Sequence, residues 1–320
     1  MPLAVLRLLR PDAFRSGEEI SRRLGLSRAS VHNAVMRARE LGAEIHAVRG
    51  QGYRLAWPCT WLDAERLQTA LGKRGFSIAV HDQVDSTNSR LLALSQEGAA
   101  HKTVLAAEWQ SGGRGRRGRT WHGQLGGGLT FSLLWRFNRP LTGLSGLSLV
   151  VGLALARVVR ELGAPAGVKW PNDLLVDGRK LAGILIETQG DMLGAASAVI
   201  GIGVNVRAGA EVAAAAGTAL TDLGELLDPA PPPDRNHLLA AILAELDRLL
   251  PEFDRDGFAP FVTAWQDAHV WQDRTVCAQH PSGTAQCGRA RGVDTDGALL
   301  LENAGGIVRI HAGEVSLRPA

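Results

Sequence analysis

The chain has 320 residues, which at about 150 residues per domain suggests two or three domains. Charged residues make up 21% of it and hydrophobic residues 45%, a balance that is typical of globular proteins and excludes a disordered or collagen-like chain. The net charge is +3, from 35 Lys and Arg against 32 Asp and Glu. Three cysteines without CxxC spacing predict a reducing compartment and argue against a disulfide framework or a zinc site.

The first 57 residues predict three helices followed by a hairpin. Ser16-Gly17-Glu18-Glu19 is a capping box that begins one helix, and Ser27 begins the next one after a turn that contains Gly25. Two helices joined by such a short turn predict a helix-turn-helix, and Ile45 to Leu55 predicts a two-stranded wing. The segment is also basic, with ten Arg against five acidic residues.

This first segment therefore favours a DNA-binding module whose second helix enters the major groove. The alternative is a small helical cap whose arginine-coated face is simply solvated. The candidate DNA contacts on the second helix and the wing are Arg28, Ser30, His32, Asn33, Arg37 and Arg49.

The second segment, residues 61–270, mixes strands and helices. Its β-rich stretches are Ser77–Val84, Val104–Glu108, Gly128–Arg136, Lys180–Thr188 and Ala198–Val206. Helical periodicity covers Leu144–Leu162 and Asn236–Leu250. The strands are not spaced as βαβ units, and Asp177-Gly178 is typical of a hairpin turn, so we predict an α+β domain with a mixed or mainly antiparallel sheet.

Two apolar stretches bear on localisation. Pro140 to Ala156 is shorter than the about 20 residues of a bilayer-spanning helix, so it predicts a buried helix. The N-terminal stretch has arginines within its apolar run and lacks a small-residue cleavage site, unlike a signal peptide. We expect a cytoplasmic protein without a membrane partner.

The third segment, residues 271–320, contains only short strands between turn residues, which predicts a small SH3-like β-barrel. These strands are Arg274–Gln279, Ala285–Val293, Ala298–Glu302, Gly306–His311 and Val315–Arg318. The predicted division is thus residues 1–60, 61–270 and 271–320.

Four motifs in the second segment carry chemistry. The densest, Gly112 to Arg119, holds four Arg and four Gly and is followed by Trp121. Guanidinium groups bind phosphate oxygens, and glycines let backbone amides approach them, although an exposed basic loop or an RNA-binding tract has the same composition. Neither a P-loop nor a strand-linked GxGxxG is present. The other motifs are KWPNDL at 169–174 with KLAGIL at 180–185, DSTN at 85–88, and GIGVN at 201–205.

In this order, together with SGEEISRRLGLSRASV, GQGYRL and GALLLEN, the motifs resemble those of the biotin–protein ligases nearly end to end. With its helix-turn-helix, the chain is similar to members that are both biotin ligase and biotin-operon repressor. The resemblance implies a class II synthetase-like central fold. It also implies that biotin and MgATP give biotinyl-5′-AMP, from which biotin passes to a lysine of the biotin carboxyl carrier protein of acetyl-CoA carboxylase.

The resemblance also implies residue roles. Around biotin we expect Ser86, Thr87, Asn88, Gln110, Arg114, Gly115, Arg116, Lys180 and Gly183. Around ATP and the adenylate we expect Arg117, Arg119, Trp121, Lys169, Asn172 and Asn205. Catalysis is assigned to Lys180, Arg116 and Asp173, with Mg²⁺ arriving on ATP and no metal site of the protein's own.

The regulatory role implies operator DNA as a partner and a homodimer that forms when the adenylate binds. Three alternatives stay open: a related lipoate-type acyl ligase, a monofunctional ligase with a vestigial DNA-binding segment, and a biotin sensor without enzymatic activity. The KWPND motif and the N-terminal module weigh against the first. The retained Lys180, Asp173 and arginine loop weigh against the third.

Overall fold

The computed structural model describes residues 2–190, 194–280, 283–313 and 316–319. The N-terminal elements are α1 (Pro2–Leu6), α2 (Gly17–Leu24), α3 (Arg28–Glu40), β1 (Ile45–Val48) and β2 (Gly52–Leu55). Ser16 and Ser27 each accept a hydrogen bond from the backbone amide three residues later, which confirms the predicted helix starts. The predicted order of three helices and an antiparallel hairpin is also confirmed.

A seven-stranded sheet with flanking helices follows. Its elements are α4 (Ala64–Leu71), β3 (Ser77–Val84), α5 (Thr87–Gln96), β4 (Thr103–Gln110), β5 (Gly128–Arg136), α6 (Leu147–Glu161), β6 (Gly167–Lys169), β7 (Asp173–Val176), β8 (Arg179–Gly190), β9 (Ala196–Asn205), α7 (Ala210–Ala215), α8 (Leu223–Leu226), α9 (Arg235–Asp256) and α10 (Val262–Ala268). The strand order is β3-β4-β5-β9-β8-β7-β6. Only the β3/β4 pair is parallel, so the predicted mixed sheet is confirmed.

Sequence periodicity missed the two shortest strands, β6 and β7, because three or four residues are too few to show alternation. The turn between β7 and β8 is nevertheless the predicted one. Asp177 and Gly178 both have positive φ, 48° and 76°, as a tight two-residue hairpin turn requires.

The apolar stretch in the middle of the chain is a core helix. Residues Leu141–Glu161 are long and apolar enough to cross a membrane by composition, but 67% of their most apolar window is buried inside the protein. Helix α6 packs between the sheet and α9, and Val150, Val151 and Leu155 are fully buried. The prediction of a buried helix is therefore confirmed.

The C-terminal sheet comprises β10 (Thr275–Gln279), β11 (Ala285–Val293), β12 (Leu299–Asn303), β13 (Gly306–Ile310) and β14 (Ser316–Pro319). It is antiparallel in the order β13-β12-β11-β10-β14. Its buried residues, such as Val276 and Leu299, belong to the same hydrophobic core as the central sheet. Val315, predicted as the start of the last strand, lies outside the described residues.

The expectation that the cysteines form no disulfide was wrong. Cys277 and Cys287 form a disulfide because they are direct partners in the antiparallel register of β10 and β11. Their spacing in sequence could not reveal that register, and the pairing removes the argument for a reducing compartment. Cys59 is free, and burial raises the pKa of its thiol to about 11, so this sulfur is protonated at neutral pH.

A buried ion pair connects the segment before α4 to the central sheet. The guanidinium of Arg235, at the start of α9, lies 2.7 Å from the carboxylate of Glu108 on β4, and both side chains are almost inaccessible. Arg235 also donates to the carbonyls of Thr60 and Gly128, and Glu108 accepts from the amide of Leu62. Burial opposes the charge of Arg235, but the carboxylate of Glu108 holds the pKa of Arg235 above its usual value.

Glu108→Ala should lower the free energy of unfolding by about 3–5 kcal/mol, because it leaves the Arg235 charge buried without a partner. The matched control is Asp256→Ala, which removes an exposed ion pair with Arg255 and should cost no more than about 1 kcal/mol. Urea unfolding of both variants measures the difference. Equal losses of unfolding free energy in the two variants would contradict the large contribution assigned to the buried Arg235–Glu108 pair.

Candidate active site

Two adjoining cavities open on the glycine-containing stretch of β8 and β9, next to the loop 112–122. The smaller, of about 470 Å³, is lined by all nine residues assigned to biotin: Ser86, Thr87, Asn88, Gln110, Arg114, Gly115, Arg116, Lys180 and Gly183. The larger, of about 860 Å³, is lined by all six assigned to ATP: Arg117, Arg119, Trp121, Lys169, Asn172 and Asn205. Asp173 lines the larger cavity, and Arg116 and Lys180 line both.

The first turn of α5 forms one wall of the smaller cavity. Thr87 donates its backbone amide to Gln110 Oε1 at 2.7 Å, and Asn88 donates its Nδ2 to the carbonyl of Leu185 at 3.1 Å. Thr87 and Asn88 are both buried. Their polar atoms are therefore held in place by the protein's own hydrogen bonds.

Sequence reasoning missed two residues that hold the side chains of this wall in place. The hydroxyl of Ser132, on β5, contacts both Thr87 Oγ1 and Asn88 Oδ1. The carboxylate of Glu187, on β8, accepts from Asn88 Nδ2 at 2.9 Å and from Arg114 at 2.6 Å. A lone serine within an apolar strand is a signal that could have found Ser132, because buried polar groups need partners. Nothing local distinguishes Glu187.

Glycines on β9 explain the GIGVN motif. A Cβ at Gly201 would lie 2.1 Å from Asn88 Oδ1, and one at Gly203 would lie 2.4 Å from the Trp121 ring. The ring also lies against Gly183, where a Cβ would be 3.1 Å from it. Trp121 lines both cavities and therefore lies at the boundary between them. Larger residues at Gly201 or Gly203 on β9 would leave no room for this arrangement.

The hairpin from β6 to β8 supplies a carboxylate between two ammonium groups. Asp173 Oδ1 lies 2.7 Å from Lys180 Nζ, and Asp173 Oδ2 lies 3.7 Å from Lys169 Nζ. Asn205 donates its side-chain amide to the backbone carbonyl of Lys180 at 3.3 Å, so the strand position of that lysine is fixed. Burial lowers the pKa of Lys169, and the charge of Asp173 partly opposes this effect.

Arg116 joins the arginine loop to two other segments. It donates to Asn172 Oδ1 at 3.1 Å and to the carbonyls of Ala312 and Gly313 in the C-terminal segment. Burial lowers the pKa of Arg116, with Asp173 opposing the shift. Leu317 also lines the larger cavity. Sequence reasoning did not foresee that the C-terminal segment contributes to this site.

The two cavities differ in chemistry. Five cationic side chains and a single carboxylate line the larger one, which suits a polyphosphate: Arg116, Arg117, Arg119, Lys169, Lys180 and Asp173. Neutral hydrogen-bonding groups and glycines line most of the smaller one, which suits a ring with amide-like polar edges; its cations are Arg116 and Lys180, shared with the larger cavity, and Arg114, which pairs with Glu187. Within the described ranges, no group of three or more His, Cys, Asp or Glu could hold a metal ion.

The candidate DNA contacts lie on α3 and the following hairpin. Arg28, His32 and Arg49 line a groove between these two elements. Asn33 and Arg37 are exposed on α3, with Arg37 paired to Glu40. The hydroxyl and the backbone amide of Ser30 both form hydrogen bonds with the Ser27 hydroxyl, so the Ser30 side chain takes part in capping α3. Its role as a DNA contact, like that of the others, stays a prediction.

Three sequence profiles match different parts of the chain. Residues 80–205 match the Biotin/lipoate A/B protein ligase family, residues 3–54 match an HTH domain, and residues 275–318 match the Biotin protein ligase C terminal domain. The three matches follow the order of the three segments described above.

Relatives match over the whole length. The bifunctional ligase/repressor BirA of Salmonella typhimurium is 39% identical over 325 residues, and the alignment covers 100% of this chain and 98% of the relative's length. That of Bacillus subtilis is 32% identical, covering 96% and 94%. The solved biotin protein ligase from Aquifex aeolicus in complex with biotin and ATP has a TM-score of 0.65 and 29% identity, covering 76% of this chain and 99% of that one. Because the similarity spans both the helix-turn-helix and the cavities, the chain belongs to the family of bifunctional ligase/repressor BirA proteins.

Proposed function

We propose that this protein is an ATP-dependent, AMP-forming biotin–[acetyl-CoA-carboxylase] ligase and a biotin-responsive transcriptional repressor. The observation that carries the ligase activity is the pair of cavities that share Lys180 and Arg116. A carboxylate in the smaller cavity and a phosphate in the larger one meet at these two cations. The relatives that cover the whole chain support the same assignment.

In the first step, the carboxylate of biotin attacks the α-phosphorus of ATP. A carboxyl O–P bond forms, the bond from the α-phosphorus to the bridging oxygen breaks, and pyrophosphate leaves with the electron pair. Lys180 and Arg116 stabilise the negative charge that accumulates on the α-phosphate oxygens. The carboxylate is already ionised, so this step needs no general base. Arg117, Arg119 and Lys169 face the departing phosphates.

Around the reacting atoms, the smaller cavity holds the biotin ring system. Its ureido group meets polar atoms of Ser86, Thr87, Asn88 and Gln110, and Arg114 and Gly115 close over the ligand. Trp121 packs on the adenine side, with Asn172 and Asn205 shaping that cavity through their bonds to the backbone of β8. Mg²⁺ would arrive bound to the triphosphate of ATP. Mg²⁺ keeps several of its waters and is usually held by substrate phosphates with only one or two protein ligands.

In the second step, the lysine ammonium of the carrier protein loses one proton to solvent, and the neutral amine attacks the acyl carbon of the mixed anhydride. The C–N bond forms, the acyl C–O bond breaks, AMP leaves with the electron pair, and the attacking nitrogen gives up a second proton. Asp173 accepts the proton or orients the amine, because its carboxylate lies in the larger cavity beside the shared cations. To do so it must exchange its contact with Lys180 for one with the incoming amine.

The finer architecture belongs to the same proposal. We assign a winged helix-turn-helix to residues 1–60, a class II synthetase-like ligase domain to residues 61–270 and an SH3-like barrel to residues 271–320. The hairpin β1–β2 directly after α3 supports the wing. The adenylate orders loops of the larger cavity into a homodimer interface, and the dimer binds two half-sites of operator DNA in the cytoplasm.

Lys180→Ala should slow biotin-dependent pyrophosphate release about tenfold to a hundredfold, since a charged hydrogen bond contributes about 1.5–3 kcal/mol. Lys73→Ala, which removes an exposed lysine outside both cavities, is the control and should react at the wild-type rate. The assay contains ATP, carrier domain and either biotin or lipoate. A wild-type rate in Lys180→Ala, or preferential lipoate transfer, would overturn the assignment.

Gly203→Ala should weaken biotin and ATP binding at least tenfold, because the added methyl displaces the Trp121 ring. Gly128→Ala on the neighbouring strand adds the same methyl at ordinary contact distances, 3.9 and 4.0 Å, and should bind normally. Isothermal titration calorimetry with each ligand gives both affinities. Equal affinities for the two variants would show that Trp121 does not contribute to ligand binding.

Biotin plus ATP should strengthen binding to the DNA upstream of the protein's own gene, because the adenylate favours the dimer that two half-sites also favour. A gel shift with and without the ligands, paired with sedimentation, tests this regulatory role. DNA affinity that ignores biotin, or absent specific binding, would leave a ligase whose N-terminal segment has another use.

A further inference from the structure

Gln124 lies where three separate segments meet, and the reaction does not use it. Its side chain is only 2% exposed. Its Oε1 accepts the backbone amide of Gly209, and its Nε2 is buried without a hydrogen-bond partner among the described residues. An unpartnered buried amide has an energetic cost, so its presence calls for an explanation beyond packing.

On one side, Gln124 contacts the start of α7, the helix that leads to the larger cavity. Gly209 directly precedes α7, and Ala216, Thr218 and Leu220, which follow α7, line the cavity. Gln124 itself comes three residues after Trp121, which lies between the two cavities. A ligand that shifts α7 therefore acts on the hydrogen bond between Gly209 and Gln124, and one that shifts Trp121 acts on the backbone that leads to Gln124.

On the other side, Gln124 contacts the end of α3. Gly42 follows that helix, and a Cβ there would lie 3.2 Å from Gln124 Cγ. The next residue, Leu125, donates its amide to the carbonyl of Leu41 at 3.1 Å and is buried in the hydrophobic core of the N-terminal segment. The chain from Trp121 to Leu125 thus ends on the helix that carries the candidate DNA contacts.

The packing leaves Gln124 little freedom to move alone. A Cβ at Gly127 would be 3.1 Å from its side chain, and one at Gly209 would be 2.9 Å from its Oε1. Close-packed interiors transmit displacement rather than absorb it. Arg39 of α3 lines both the cleft beside Gln124 and the groove between α3 and the hairpin, so a rotation of α3 reaches the DNA-facing side.

We propose that Gln124 is a positioning residue that couples ligand occupation of the larger cavity to α3 within a single protomer, through its hydrogen bond to Gly209 and its contacts with Gly42. This inference rests on the proposed function for the ligands of the larger cavity and for its effect on DNA binding. It adds an intramolecular route to the regulation, distinct from dimerisation.

The direct test is hydrogen exchange of backbone amides 38–46, with and without biotin and ATP, at protein concentrations where sedimentation shows a monomer. In the wild type the ligands should change exchange there about fivefold or more, within the usual range of coupling between sites. Gln124→Met keeps the volume and removes both polar atoms, and should reduce the change below about twofold. Gln124→Glu keeps an acceptor for the Gly209 amide and should restore it.

The matched control is Gln266→Met, which removes a half-buried carboxamide that bonds Val293, away from both cavities and α3. It should respond to ligands as the wild type does. The coupling is overturned if the ligands do not change exchange of residues 38–46 in the wild type. It is also overturned if the change persists in Gln124→Met. A Gln124→Glu variant that behaves like Gln124→Met overturns it as well.

A gel shift with the same variants separates this inference from the repressor role. If Gln124→Met transfers biotin normally but loses the ligand-dependent gain in operator affinity, both ideas are supported. If the exchange effect is present in the wild type while DNA binding ignores the ligands, the coupling stands and the repressor role fails.

Discussion

Two positions without side chains on β9 set the geometry on which the site depends. Because Gly201 and Gly203 leave the face of the central strand bare, Asn88 and Trp121 can approach the backbone to distances that any Cβ would forbid. Asn88 thereby closes one end of the smaller cavity, and Trp121 separates it from the larger one. The sheet thus forms the floor of both cavities.

The cations above this floor are held by contacts that also balance their charges. Asp173 lies between Lys169 and Lys180, and Glu187 pairs with Arg114. The site therefore concentrates positive charge while several of its cations keep a carboxylate partner. Fixed, partly buried charges stabilise a developing phosphate charge more than mobile solvated ones, because they need little reorganisation when the reaction proceeds. These ion pairs therefore preorganise the cations of the site.

The end segments are tied to the central sheet by specific polar contacts. Arg116 reaches the carbonyl of Gly313 from the arginine loop, and the amide of Leu125 reaches the carbonyl of Leu41 at the end of α3. The Arg235–Glu108 pair fixes the segment before α4. The loops around the two cavities therefore contact both the N-terminal helix-turn-helix and the C-terminal sheet segment.

The sequence by itself determined the helix starts at Ser16 and Ser27, most strand positions, and the residues that line both cavities. The helix starts and strands depend on capping and alternation, which are local properties of the chain, whereas the cavity residues were assigned from the resemblance of their motifs to those of the biotin–protein ligases. Only the tertiary structure decided the Cys277–Cys287 disulfide, the roles of Ser132 and Glu187, and the contact of Arg116 with the C-terminal segment. Each of these depends on strand register or on packing between segments, and no local pattern records which distant residue will be the partner.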